Sequence, residues 1–439
     1  MDLLKSIFKG DKVIWIIFLC LCLISIIEVF SAASTLTYKS GDHWGPITQH
    51  SIILMVGAVV VVFLHNVPYK WFQVFPVFLY PISLVLLAFV TLMGIITGDR
   101  VNGAARWMTF MGLQFQPSEL AKMAVIIAVS FILSKRQDEE GANPNAFKYI
   151  MILTGLVLVL IAPENLSTAM LLFGVVFMMM FIGRVAAKKL LLLAGGLVLI
   201  VALGVGTVVA IPAKTLHSTP GLHRLETWQN RIKGFFDKDE VPAAKFDIDK
   251  DAQIAHARIA IATSHVVGKG PGNSIQRDFL SQAFSDFIFA IVIEEMGLIG
   301  GIFVVFLYLC LLMRAGRIAQ KCERTFPAFL VMGIALLLVS QAILNMMVAV
   351  GLFPVTGQPL PLVSKGGTST LINCAYIGMI LSVSRYTAHL EEQKEHDAQL
   401  QLQIETNAAD SEAQAAAEPT AQILNSDAKF EDENDINKG

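Results

Sequence analysis

Apolar runs near or above 18 residues recur along this chain, and no other feature limits its fold so strongly. A run of that length matches the hydrocarbon thickness of a bilayer when it coils as a helix. One such run would be an anchor; a long series is a polytopic bundle. Composition agrees. The chain is 55% hydrophobic and only 15% charged, where a soluble protein carries about a quarter charged residues. The expected fold is therefore all-α, membrane-embedded, with about ten spans. They are placed at 13–35, 47–65, 72–97, 117–134, 147–163, 168–183, 190–212, 284–313, 326–350 and 368–386. The fifth and sixth are short. The break between them, Pro163-Glu164-Asn165, reads as either a tight hairpin or a re-entrant loop.

Charge location sets the expected orientation. Lys5, Lys9 and Lys12 precede span one, and Lys70 lies between spans two and three. Lys135 and Arg136 follow span four, and Arg184, Lys188 and Lys189 follow span six. Arg314, Arg317, Lys321 and Arg324 follow span eight, and Arg385 closes span ten. With ten spans, all of these fall on one side. The positive-inside rule makes that side cytoplasmic, so both termini are expected there. No small-residue cleavage site follows the first apolar run, which is read as a retained span. The net charge of −2 says little about partners when charge is segregated in this way.

One outward segment, about 213–283, is far longer than the other loops. Long loops cross regardless of their charge, and such loops are usually functional or disordered. Within it, LHRLETWQNRIKGFF mixes aromatic and basic residues at helical spacing, as a helix lying on the membrane surface does. Asp237 to Asp251 reads as a solvated charged run. The expected membrane domain is 1–387. Residues 388–439, rich in Ala, Gln, Glu and Asp, form an acidic cytoplasmic tail with no core-forming residues. That tail is expected to be disordered, after a short helix at most. The five cysteines (Cys20, Cys22, Cys310, Cys322 and Cys374) show no metal-ligand spacing and read as small packing residues.

Ionisable groups in or beside spans are costly, so each is a candidate for function. The first group runs from Gly103-Ala104-Ala105-Arg106-Trp107 through Gln116-Pro117-Ser118-Glu119-Leu120-Ala121-Lys122. Pro117 suits the first turn of a helix. Glu119 and Lys122, three apart, share a face, either as an intrahelical ion pair or as the lining of a substrate path. The second group is Ser285-Asp286-Phe287, at the mouth of span eight. Asp286 can cap that helix, or it can serve as a general base in a half-dry cleft. The third is Glu294-Glu295, about 12 Å deeper at helical rise. A structural network or a direct role would each explain it. The fourth is the Pro- and Gly-rich stretch 354–361 followed by Ser364-Lys365-Gly366-Gly367. Such a loop at membrane depth must pack in protein or line a cavity. Lys365 beside two glycines would offer an anion a cation and backbone N–H groups. Gly268, Gly270 and Gly272 around Pro271 would let backbone approach a ligand closely.

These segments in this order, GAARW…QPSELAK, GKGPGNS…SDFIFAIVIEEMG and GLFPVTGQPLPLVSKGGTS, resemble the SEDS family of shape, elongation, division and sporulation proteins. The resemblance covers nearly all of 10–388 and is greatest to the division branch. It implies a peptidoglycan glycosyltransferase that polymerises lipid II on the outer face of the cytoplasmic membrane. It implies a class B penicillin-binding protein and other divisome proteins as partners, membrane lipid around the spans, and no nucleic acid. The family's essential aspartate falls on Asp286, and its polar span-four positions fall on Glu119 and Lys122. Departures occur at Ala162-Pro163-Glu164-Asn165-Leu166-Ser167, where the family usually has a QPDLG-like segment, and at Lys365, usually tyrosine. On this reading Asp286 is the base. Gln116, Ser118 and Gly366 help to bind substrate. Arg106, Lys122, Lys365, Arg231 or a divalent Mg or Mn ion stabilises the pyrophosphate. Alternatives from other classes are a lipid II flippase and a non-catalytic divisome scaffold; an elongation-type polymerase is the alternative within the family.

Overall fold

The computed structural model describes residues 9–32, 45–96, 107–110, 113–138, 141–210, 229, 248–280 and 284–436. It is a polytopic all-α protein. In chain order its main helices are α1 (Lys12–Ala32), α2 (Gly45–Asn66), α3 (Phe75–Ile96), α4 (Pro117–Lys135), α5 (Pro144–Ile161) and α6 (Leu166–Ile182). They continue with α7 (Ala187–Ala210), α8 (Ile248–Ala262), α9 (Ile288–Lys321), α10 (Thr325–Ala349) and α11 (Thr368–Ile436). Two short antiparallel ribbons, Met108–Phe110 with Leu113–Phe115 and Gln137–Asp138 with Gly141–Ala142, flank α4.

Each expected span position carries a helix. Among the described residues, eight helices are long and apolar enough to cross a membrane, and Leu166–Ile182 is a shorter apolar helix. Pro163 and Glu164 form a tight turn, which settles the α5–α6 break as a hairpin. Asn165 then caps α6, its Oδ1 accepting from the Thr168 N–H at 3.2 Å. The α4 helix is the most enclosed and packs on α3, α10 and α5, whereas α7 exposes most of its surface. Asp11 ties α1 to α9: its Oδ1 accepts from the N–H groups of Val13 and Ile14, and its Oδ2 pairs with Arg314. The α9 helix runs past the expected end at 313, because Arg314, Arg317 and Lys321 can keep their stems along the helix while their heads reach the interface.

The chain divides into two units, 1–385 and 386–439. In the second, the backbone is helical to Ile436 where composition suggested disorder. Ala, Gln and Glu are strong helix formers, so local propensity supplies helical backbone without a core. Side chains 391–409 are exposed accordingly.

The α9 helix is broken at Gly297, whose φ of 73° and ψ of −176° are not helical. Backbone from 265–270 fills the break. The N–H of Leu298 donates to His265 O at 3.2 Å, and those of Lys269 and Gly270 donate to the carbonyls of Glu294 and Glu295 at 3.0 and 2.8 Å. A Cβ at Gly297 would collide with the Val266 carbonyl, and one at Gly268 (φ 80°) with the Glu295 carbonyl. Gly297→Ala should therefore destabilise the protein by about 1–3 kcal/mol, the scale of a forced left-handed residue. A thermal melt in detergent checks this; an unchanged midpoint would remove the need for glycine here.

Candidate active site

The second and fourth sequence groups meet in one place, and Glu119 and Lys122 of the first are linked to them through α10. Asp286 lies in a turn, 284–287, just before α9. The helix N-cap is Phe287, with no side-chain cap hydrogen bond, so Asp286 does not cap α9. Its carboxylate is half-buried and accepts from Ser285 Oγ at 3.0 Å. The turn is clamped by the loop before α11. The Lys365 N–H donates to Phe284 O at 2.9 Å, and Ser364 Oγ donates to Ser285 O at 2.6 Å. From α10, Asn345 Nδ2 donates to the Asp286 carbonyl at 2.9 Å and to the Gln358 carbonyl at 2.8 Å.

The loop is fixed from several helices. Ser25 of α1 donates to Val363 O at 2.7 Å and is paired with His50 of α2 at 2.8 Å. Tyr308 of α9 donates to Pro361 O, and Gln358 donates to Thr168 of α6 at 2.6 Å. A loop at this depth satisfies its backbone through protein groups, as lipid demands.

Glu119 and Lys122 form an ion pair at 2.8 Å, with side chains 2% and 0% exposed. Lys122 Nζ also donates to Gln341 Oε1 at 2.9 Å, and Gln341 Nε2 donates to Pro359 O at 3.0 Å. The pair thus faces α10 and the loop rather than an open path. Lys122 is enclosed by these contacts. Gln341 and Asn345, one turn apart on α10, connect the ion pair, the loop and Asp286. Sequence reading passed over both. Their signal was two amides at i, i+4 in an otherwise apolar span.

The other proposed positions are dispersed. Gln116 donates to Ser118 at 2.9 Å, and both are buried. Ser118 lines a cavity of about 20 Å³ with Glu164 and Asn165, away from the hydrogen bonds around Asp286. Gly366 sits at the start of α11, its carbonyl accepting from the Ser369 N–H at 3.0 Å. The Lys365 N–H is bound to Phe284, so of Lys365 itself it is the ammonium that an anion could meet. That group is half-buried, 5.8 Å from the Phe284 ring centroid, and burial lowers its pKa from the ordinary lysine value. Arg106 and Arg231 lie outside the described residues, as do most of LHRLETWQNRIKGFF and of Asp237 to Asp251.

Glu294 and Glu295 hold the inserted segment. Glu294 pairs with Lys269 at 2.6 Å and accepts from Ser274 Oγ and the Ile275 N–H. Glu295 accepts from Ser31 Oγ and from the N–H groups of Gly272 and Ser274. The glycines of that run are spent on this insertion. Glu28 of α1, buried and with neither carboxylate oxygen hydrogen-bonded among the described residues, lies near Glu295.

A family profile described as "Cell cycle protein", covering FtsW, RodA and SpoVE, matches residues 11–389. The chain belongs to this family. Among its relatives is the probable peptidoglycan glycosyltransferase FtsW of Trichlorobacter lovleyi, 32% identical over 377 residues, covering 85% of this chain and 93% of that one. The FtsW of Geobacter sp. strain M18 is 32% identical over 381 residues, covering 85% and 96%. The fold of the FtsW, RodA and SpoVE family is shared with a chain from a peptidoglycan synthase complex described for structural coordination of polymerization and crosslinking. There the TM-score is 0.67 at 24% identity, over 87% of this chain and 99% of that one. Thermus thermophilus RodA superposes with a TM-score of 0.58 at 23% identity, over 86% and 97%.

Proposed function

We propose that this protein is a peptidoglycan glycosyltransferase of the cytoplasmic membrane that polymerises lipid II into glycan strands on the outer face during septal wall synthesis. A class B penicillin-binding protein is its transpeptidase partner, within a set of divisome proteins. The observation that carries this reading is Asp286. It is a half-buried carboxylate outside any helix cap, on a turn held by α10 and the loop, with Lys365 anchored to the same turn.

The chemistry follows from the donor. Its anomeric carbon already bears a lipid pyrophosphate, so the enzyme needs a base and charge stabilisation. Asp286 takes the proton from the acceptor's 4-hydroxyl as that oxygen attacks the anomeric carbon. The C–O bond to pyrophosphate breaks on the opposite side, inverting the centre through an oxocarbenium-like transition state. The leaving group departs with its electron pair, and the Lys365 ammonium opposes the developing charge. Apolar helix faces hold the prenyl chain in the bilayer.

A divalent ion, Mg or Mn, fits this site when brought by the substrate. Diphosphate oxygens and water are a usual magnesium environment. Among the described residues no group of three or more His, Cys, Asp or Glu could hold a metal by itself. The diphosphate oxygens would carry the ion, which would supply Lewis-acid stabilisation of the leaving group, while Asp286 stays on the acceptor side as the base. Purified full-length protein with its transpeptidase partner and lipid II should form glycan polymer on a gel. Chelation should slow it at least tenfold, with recovery on adding Mg or Mn. Absence of polymer under all metal conditions would overturn the polymerase reading; chelator-insensitive polymer would overturn the metal alone.

A further inference from the structure

The α2 helix ends in a second feature, remote from Asp286 in the sequence and unrelated to the proposed chemistry. Val59, Val62, Phe63, Val67 and Trp71 line an open apolar groove of about 680 Å³. Its walls face outward: Val59 is 64% exposed, Phe63 66% and Trp71 63%. Such residues belong against lipid, and a tryptophan at a helix end marks the membrane–water interface.

The end of the groove is cationic. Asn66, which lines it, is gripped by Arg385, whose two terminal nitrogens donate to Asn66 Oδ1 and O at 3.0 Å each. Lys70 is exposed, in the 3-10 turn Tyr69–Gln73 that carries Trp71. Lys9 is brought to the same end. Its carbonyl accepts from Trp15 Nε1 at 3.2 Å, and the Trp15 ring stacks edge-on against His65, 5.8 Å between centroids. Gly10 beside it packs on the Arg385 backbone. The loop charges put this end on the cytoplasmic side, where the leaflet is anionic.

We propose that this groove is a binding site for an anionic phospholipid, one acyl chain lying along Val59, Val62 and Phe63 and the phosphate facing Lys70 and Arg385. A partner's apolar helix would use the groove but not its cationic end; a lipid uses both.

Native mass spectrometry of the full chain, exchanged into a mixture of phosphatidylglycerol and phosphatidylcholine, tests this. Wild-type protein should retain phosphatidylglycerol in preference to phosphatidylcholine. Lys70→Gln should reduce that preference about fivefold, the weight of one basic residue at an anionic surface. Val62→Trp, which fills the groove, should lower retention of both lipids. Equal retention of the two lipids by the wild type, or an unchanged preference in Lys70→Gln, overturns the proposal. So does complete displacement of bound phosphatidylglycerol by the transpeptidase partner, which would mark a helix-docking face instead. The wild-type comparison needs no variant to fold, and none of these outcomes depends on polymerisation.

Discussion

Asp286→Ala should fold, insert and make no detectable glycan polymer. The side chain does not cap α9, and the carbonyls of the turn are held by the Asn345 and Ser364 side chains and the Lys365 N–H. Removing the carboxylate therefore leaves those contacts in place and takes away the proton acceptor. General bases contribute about 10²–10⁴ in rate, so polymerisation should fall below detection while the melting midpoint stays near wild type. Asp286→Asn separates charge from shape: the amide fills the space, accepts no proton, and should be as inactive. Purified protein, lipid II and the transpeptidase partner give the measurement. Near-normal polymer from either variant would sink the assignment of the base. The other functional classes also give way or survive here. A flippase would still move lipid II across a vesicle membrane in the Asp286 variants, and a scaffold would still support cell division with them.

The spans were legible because lipid writes them into composition: a run of apolar residues long enough to cross can do little else. The position of Asp286 at the mouth of α9 was legible for the related reason that a carboxylate is expensive there. What escaped was the wiring. Gln341 and Asn345 are uncharged, so the search for costly charges passed over them, although buried amides in lipid need partners just as surely. The break at Gly297 was not legible. It depends on residues 265–270, nearly thirty positions away, supplying backbone partners that no local pattern encodes. The direction of Lys122 was also hidden. Spacing placed it beside Glu119, but only packing shows that it turns towards α10. In the tail, composition spoke to the lack of core-forming residues and said less about backbone conformation, where propensity alone favours helix.

Lys122→Met should be the most destabilising single change near the site. It removes the partner of Glu119 while leaving that carboxylate almost fully enclosed, with its Oε2 already lacking a hydrogen bond. Breaking a buried ion pair from one side costs about 3–5 kcal/mol, since the remaining charge is stranded. Lys122→Met with Glu119→Gln should recover most of that loss, because a neutral pair of similar volume strands nothing. Thermal melts of the two single variants and the double variant give the coupling directly. Activity should follow a different course. Gln341 loses its Lys122 contact in both cases, so its hold on Pro359, and with it the loop that carries Ser364 and Lys365, is relaxed even when stability returns. The double variant should thus be near wild type in melting and reduced in maximal rate, with little change in the lipid II concentration for half-maximal rate. Had Lys122 been a direct pyrophosphate ligand, the double variant would instead bind lipid II poorly. A stable single Lys122→Met variant would show that the enclosed pair carries no structural weight.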